Sequence, residues 1–246
     1  MTTAARLARL GLRLGPLGAP TLVASFAPPR PRVGALVLIP HGRTPSNQRL
    51  IFQNHSEGPD ATLLPESLVE AGKGAEVFLD AFGDRLERCS FRRSPLHRCA
   101  QTWEAYTAVL ADRGLEVPEI AVDEALVEID HASWHGKTVD DLSGADRASA
   151  AAHRAGDVLA KPPDGESQLD VLERAAAWVH GLDAPDRVVV AFGHGTMQNA
   201  IEVVLRTYGS RPPAEVFTRV PGKSHLKRGF PHVVFDADGG ALGPLG

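Results

Sequence analysis

Two histidines occupy matching places in this chain. Each closes an apolar run and each is followed by glycine. The first run, Val33-Gly34-Ala35-Leu36-Val37-Leu38-Ile39, ends at Pro40-His41-Gly42; the second, Val188-Val189-Val190-Ala191-Phe192, ends at Gly193-His194-Gly195. A neutral imidazole is a competent in-line nucleophile toward phosphorus, and a second ring beside it can steady the charge of a phosphoryl group. Three further pieces lie between or beside them: Arg43, Thr44 and Asn47 after the first His-Gly; the stretch Ser94-Pro95-Leu96-His97-Arg98-Cys99-Ala100-Gln101-Thr102; and the carboxylates Glu128 and Asp130 after Leu126-Val127. A buried arginine offers a planar fork of donors to an oxyanion, and a carboxylic acid can protonate a departing alkoxide.

Such residues need elements to hold them. Runs as continuously apolar as 33–39 and 188–192 are expected for strands covered by helices on both faces, and in a parallel sheet both histidines then stand at carboxyl ends, where ligands bind. A helix is expected from Ser94 as N-cap, with Pro95 in the first position and Gly114 as the stop. Its core face is Leu96, Cys99, Ala100, Trp103, Tyr106, Thr107 and Leu110, with Arg98 in the first turn. A second helix follows His194, with Thr196 as N-cap, Met197, Ala200, Ile201, Val204, Leu205 and Tyr208 on one face, and Gly209 at its end. Its amino end, carrying free N–H groups and Gly195, points to the same place as His194 and suits an anion. Helices over Pro65 to Leu86 and Ser167 to His180, with a closing strand from His232 to Phe235, complete the alternation. That order predicts an α/β fold, a three-layer sandwich with a mostly parallel central sheet flanked by helices. Glu166 and Ser167 read as helix-start residues.

This ordered series resembles the histidine phosphatase superfamily, the phosphoglycerate mutase-like enzymes. The likeness runs from about Val33 to Ile201 and includes Leu68 to Ala75 with its turn glycine Gly72. It implies that residues 33–246 form one such domain behind an extension, 1–32, and that the protein is a metal-independent phosphomonoesterase without cofactor, acting on a small phosphorylated substrate. By the resemblance His41 forms a phosphohistidine, Arg98 and His194 neutralise the phosphoryl oxygens, and Glu128 is the proton donor. Asn47 adds a hydrogen bond, and Trp134 and His135 contact substrate. Asp130, two residues beyond Glu128, competes for the acid role.

One position departs from the pattern. The resemblance implies an arginine immediately before the nucleophile, and residue 40 is proline, which brings neither charge nor N–H. Arg43, Arg93 and His97 are the candidates to replace it, Arg43 being equally readable as a solvated loop residue. The same departure sustains a rival from another class, a repurposed pocket that binds phosphate ligands without turnover or does other chemistry. A phosphomutase ranks lower, because the chain lacks the Tyr-Gly-x-Leu-x-Gly-type stretch that glycolytic mutases carry after the acid.

Composition narrows the remainder. The chain has 246 residues, 43% of them hydrophobic, with a formal net charge of −4. That is enough for one sizeable core, and it gives no basic field for nucleic acid or an anionic membrane. A cytoplasmic location is expected, and the assembly state is left open, a homodimer included. Cys89 and Cys99 read as buried structural thiols. His131 and His135, though four apart, fall in a stretch that reads as irregular loop rather than a metal site. The first 56 residues hold no Asp or Glu. Arg6, Arg9 and Arg13 precede an apolar stretch broken by Gly15, Pro16, Gly18 and Pro20, which favours a flexible extension, docking arm or misplaced start over a signal peptide. Substrate choice is expected to lie in loops Gln48 to Leu64 and Ile129 to Pro163, with Phe52, His55 and the Gly58-Pro59 turn readable equally as pocket mouth or as plain surface loop.

Overall fold

The computed structural model describes residues 1–15, 20–23, 26–207, 216–217 and 226–245. The chain opens with helix α1 (Thr3–Arg9) and a hairpin of β1 (Leu12–Leu14) and β2 (Pro20–Leu22). The long strand β3 (Arg32–Pro40) follows, then a single turn α2 (Pro45–Gln48), helix α3 (Pro65–Phe82), β4 (Cys89–Arg93), α4 (His97–Asp112) and β5 (Ile120–Val122). After a long connection holding α5 (Gly144–Arg154) come α6 (Gln168–Gly181), β6 (Asp183–Gly193), α7 (Gly195–Leu205), β7 (His232–Asp236) and β8 (Gly243–Pro244). The main sheet has the order β5-β4-β6-β3-β7-β8, with β3 to β6 parallel and β7 and β8 antiparallel.

Side-chain alternation along the central strands builds the layers. Leu36 and Leu38 of β3, with Val189 and Ala191 of β6, pack with Leu172, Val179 and Ile201 of α6 and α7. Val37 and Ile39, with Val190 and Phe192, face Phe78 and Tyr106 of α3 and α4. Both faces of β3 and β6 are thereby removed from water, at about 1.5–3 kcal/mol per large aliphatic side chain. That is why these strands read as unbroken apolar runs. Pro40 is accommodated as the last residue of β3, where the ladder asks no N–H of it.

Several local expectations are corrected. Ser94 does not cap α4, which starts at His97 with Leu96 as the flanking residue. The Ser94 hydroxyl is already engaged, accepting from Leu96 N at 3.3 Å and meeting His194 Nε2 at 2.8 Å. Likewise α7 begins at Gly195 with His194 as the flanking residue, so Thr196 lies inside the first turn. It ends at Leu205, where Arg206 turns left-handed (φ 58°), while Tyr208 and Gly209 lie outside the described residues. The helix expected to reach Leu86 stops at Phe82 and tightens into a 3₁₀ segment, Gly83–Arg88. Ser167 does cap α6, in a reciprocal pair with Asp170.

The described residues of the extension do not stand apart. Leu7 and Leu12 are buried in the same core as α6 and α7, and the Arg6 guanidinium bridges Asp170 and Glu173 of α6. No helix among the described residues is long and apolar enough to cross a membrane.

Candidate active site

Register brings three strand ends together. Pro40 pairs with Gly193 across β3 and β6, and Arg93 with Phe192 across β4 and β6. Each ladder continues one residue further, through His41 N to Gly193 O at 2.9 Å and Ser94 N to Phe192 O at 3.0 Å. His41, His194 and Ser94 therefore stand side by side on adjacent strands, and the two imidazole centroids are 5.1 Å apart.

His41 is 2% exposed, and its Nδ1 lies 2.6 Å from the carbonyl of Gly42. A carbonyl only accepts, so Nδ1 carries the proton and Nε2 keeps its lone pair. Gly42 N donates in turn to Thr102 Oγ1 at 3.1 Å, and that hydroxyl donates to Arg98 O at 2.8 Å, fastening the loop to the first turns of α4.

His194, fully buried, is held otherwise. Arg98 Nε donates to its Nδ1 at 3.2 Å, which leaves the proton on Nε2 to donate to Ser94 Oγ. Burial, then the positive charge of Arg98, and then the neighbouring His41, Arg228 and His55, hold its pKa well below the ordinary histidine value, so the ring is neutral. Arg98 itself is 1% exposed and also donates from Nη2 to Asn54 O at 3.2 Å. Cys99 Sγ lies 3.4 Å from His194 Nε2, and burial pushes that thiol up to about 12, as it pushes Cys89 to about 11. Both are buried free thiols.

Glu128 follows a short 3₁₀ turn, Glu124–Leu126, and is 6% exposed. Its Oε1 accepts from Ile129 N at 3.0 Å, and its backbone carbonyl meets His55 Nε2 at 3.0 Å. Cys99, packed on His194, senses the charges of both Arg98 and Glu128. Asp130 is used differently. Burial pushes its carboxyl up, but the N–H of Ala132, the Asn54 amide and the charges of His55 and His135 outweigh that and hold it below the usual range. It is an ionised brace between two loops.

The amino end of α7 completes the floor. A Cβ built on Gly195 would meet no atom within 4 Å, so open space lies beside the first residue of that helix, whose N-terminal N–H groups suit an anion.

Three expected contacts lie elsewhere. Arg43 is exposed, held through its backbone by Ser67 Oγ and Leu64 N, and its guanidinium makes no hydrogen bond or ion pair among the described residues. Asn47 closes the start of α2, its Oδ1 accepting from Thr44 N and its Nδ2 donating to Gln53. Trp134 is wholly buried among Phe52, His131 and His153, with no face left for a substrate. Of the other candidates at the proline, Arg93 donates to Ser94 O, and His97 is exposed.

The two segments expected to choose the substrate pack as one body. Phe52 N donates to Lys137 O and Gly136 N to Phe52 O. Phe52, Trp134, Leu142 and Ala150 form a small core, and Asn54 ties to Asp130 and His131. His131 is buried in that cluster while His135 is exposed. Among the described residues no group of three or more His, Cys, Asp or Glu is arranged to hold a metal.

One residue at the site carried no signal in the strand and helix pattern. Arg228, in the turn before β7, brings Nη1 to 3.4 Å from His41 Nε2 and 3.3 Å from His41 O. The basic pair Lys227-Arg228 ahead of the closing strand is the feature from which it was detectable.

A family model described as the histidine phosphatase superfamily (branch 1) matches residues 36–219. Among solved structures, the chain is similar to Bacillus stearothermophilus YhfR, at 22% identity over 85% of this chain and 94% of that one, with a TM-score of 0.65. It is similar to mycobacterial glucosyl-3-phosphoglycerate phosphatase in complex with inorganic phosphate, at 26% identity over 78% and 87%, TM-score 0.54. Phosphoserine phosphatase of Entamoeba histolytica, in complex with 3-phosphoglyceric acid, shares the fold at 19% identity over 86% and 94%, TM-score 0.60. No curated protein matches the chain.

Proposed function

Because this chain belongs to the histidine phosphatase superfamily (branch 1), we propose that it is a phosphomonoesterase that hydrolyses a small phosphorylated metabolite through a phosphohistidine at His41. The observation that carries this reading is the pairing of a buried His41, whose Nε2 bears the lone pair, with the neutral His194 and the Arg98 guanidinium. The 26%-identical mycobacterial phosphatase with bound inorganic phosphate supports the ligand class.

In the first step His41 Nε2 attacks phosphorus, the N–P bond forms and the P–O ester bond breaks. The departing alkoxide takes a proton from Glu128. In the second step Glu128 accepts a proton from water as its oxygen attacks phosphorus, and the N–P electron pair returns to Nε2. Arg98 and the N–H groups at Gly195 offset the charge that spreads over the phosphoryl oxygens. His194, neutral and aligned by Ser94, keeps Arg98 turned to the site.

A panel of sugar, nucleotide and prenyl phosphates, assayed with and without EDTA, tests the reading. Turnover of at least one ester in EDTA is expected, with phosphate trapped on His41 after an acid-free quench. Binding of inorganic phosphate with no ester turned over overturns hydrolysis and favours the repurposed pocket to which Pro40 points.

A further inference from the structure

The turn that carries Arg228 is built onto the end of β3. Gly229 N donates to Pro40 O at 2.7 Å, so the proline that brings no charge supplies the acceptor that anchors the next residue along. Tyr106 Oη donates to Gly229 O at 2.8 Å, and Lys227 N donates to His232 Nε2 at 2.8 Å. Gly229 has φ +77°, open to glycine and strained for other residues, and a Cβ on it would meet Ala71 Cα at 3.0 Å. The fit is close from the other side too, since a Cβ on Gly74 of α3 would fall 1.9 Å from Gly229 O. Helices α3 and α4 and the strand end thus hold this turn in one place, and Arg228, half-buried, projects from it to the nucleophile.

From this geometry we propose that Arg228 binds the phosphoryl group at His41, filling from the far end of the chain the place that residue 40 leaves without a guanidinium; the proposal rests on the phosphatase reading. A phosphoryl group on Nε2 must carry its oxygens around that nitrogen, and the Arg228 guanidinium stands 3.4 Å from it. The bond to His41 O, at 3.3 Å, keeps the fork aimed there. Arg98 stands at the neighbouring imidazole, donating to His194 Nδ1, so the phosphoryl group at His41 has a guanidinium beside each histidine, and charge-assisted bonds from them are the strong kind. Arg43, exposed and held by its backbone, does not compete.

Inorganic phosphate and vanadate serve as probes, with affinity measured by calorimetry and by inhibition of the best ester of the panel. Arg228→Ala is expected to weaken both anions about 10- to 100-fold, the range of a charge-assisted hydrogen bond, and to raise KM. Arg228→Gln, which keeps a donor for His41 O without charge, covers the case in which alanine unsettles the turn, and should lose the same affinity. Pro40→Arg should recover most of the loss in the Arg228→Ala background and change the intact protein far less. Phosphate affinity of folded Arg228→Gln within twofold of the parent overturns the assignment of Arg228 alone. Failure of the intact protein to bind either anion or to turn over any ester overturns the phosphatase reading and this proposal with it.

Discussion

The same dipeptide ends two neighbouring parallel strands, and its two imidazoles are prepared for opposite duties. After His41 the chain enters a loop, and the carbonyl of Gly42 takes the Nδ1 proton, so Nε2 is left as a lone pair facing Arg228. After His194 the chain enters α7, and the ring is clamped at both nitrogens, by Arg98 at Nδ1 and Ser94 at Nε2. Strand-end position alone therefore does not make a nucleophile. What decides is which groups meet the ring: a backbone carbonyl fixes Nδ1–H of His41 and turns its Nε2 lone pair to Arg228, whereas Arg98 and Ser94 hold the two nitrogens of His194.

Four predictions set this contrast against measurement. The largest effect is expected of His41→Ala, which removes the atom that bonds to phosphorus: turnover of every ester should fall at least about 1,000-fold. If His194→Ala instead abolishes turnover while His41→Ala retains it, the two rings have been assigned in the wrong order.

Neither ring has a proton to give a leaving group, since His41 Nδ1–H is held by Gly42 and His194 Nε2–H by Ser94. The acid must be another group. Glu128→Gln should accordingly slow alkyl phosphates by about 100-fold or more while sparing activated aryl phosphates, whose leaving groups need no proton. Asp130→Asn, at the ionised brace, should show no such selectivity; a leaving-group dependence there moves the acid role from Glu128 to Asp130.

A smaller loss is expected of Arg98→Lys, read in kcat/KM. Lysine keeps the charge but cannot both donate to His194 Nδ1 and present a fork to the phosphoryl oxygens, so a fall of about 10- to 100-fold is expected. Retention of full activity would mean that Arg98 acts only as a point charge.

The floor of the site was legible in the sequence for a physical reason: strands buried on both faces leave continuous apolar runs, and polar residues at their ends stand out. Pro40, His41, His194 and Gly195 lie at the ends of such strands, whereas Glu128 follows the partly exposed edge strand β5 and was picked out, like Arg98, by the family resemblance. Helix starts were less legible, because Ser94 has the chemistry of a cap and the tertiary contact with His194 claims its hydroxyl instead. The body formed by Phe52, Trp134, His131 and His153 left no trace, since contacts between segments so far apart in sequence impose no period on either. Trp134, read as a substrate contact, is the pillar of that body. The extension was opaque likewise: Leu7 is core, but α1 is too short to show a stripe. Arg228 sits in a turn, where only the fold decides what an arginine faces.

The smallest effect concerns stability and isolates His194 from its partner. The ring is fully buried, and burial together with the charge of Arg98 holds its folded-state pKa well below 6.5, the value it regains on unfolding. Between those two values the unfolded chain binds a proton that the folded protein refuses, so the stability contributed by keeping this ring neutral is fully present above pH 6.5 and is lost as pH falls below it. One site contributes at most about 1.4 kcal/mol per pH unit, which for a domain of this size is a Tm decline of at most about 3–6 °C per unit. Other buried histidines add their own slopes, so the informative quantity is the difference between the parent and His194→Gln, whose amide cannot titrate. Melting curves from pH 7.5 down to 5 should run closer together as pH falls, because the parent loses this increment and the variant has none to lose. Curves that stay parallel over that interval would show that His194 takes up its proton as readily in the folded site as in the unfolded chain, and with it the distinction between a ring held neutral by Arg98 and Ser94 at one strand end and a nucleophilic ring facing Arg228 at the other would fail.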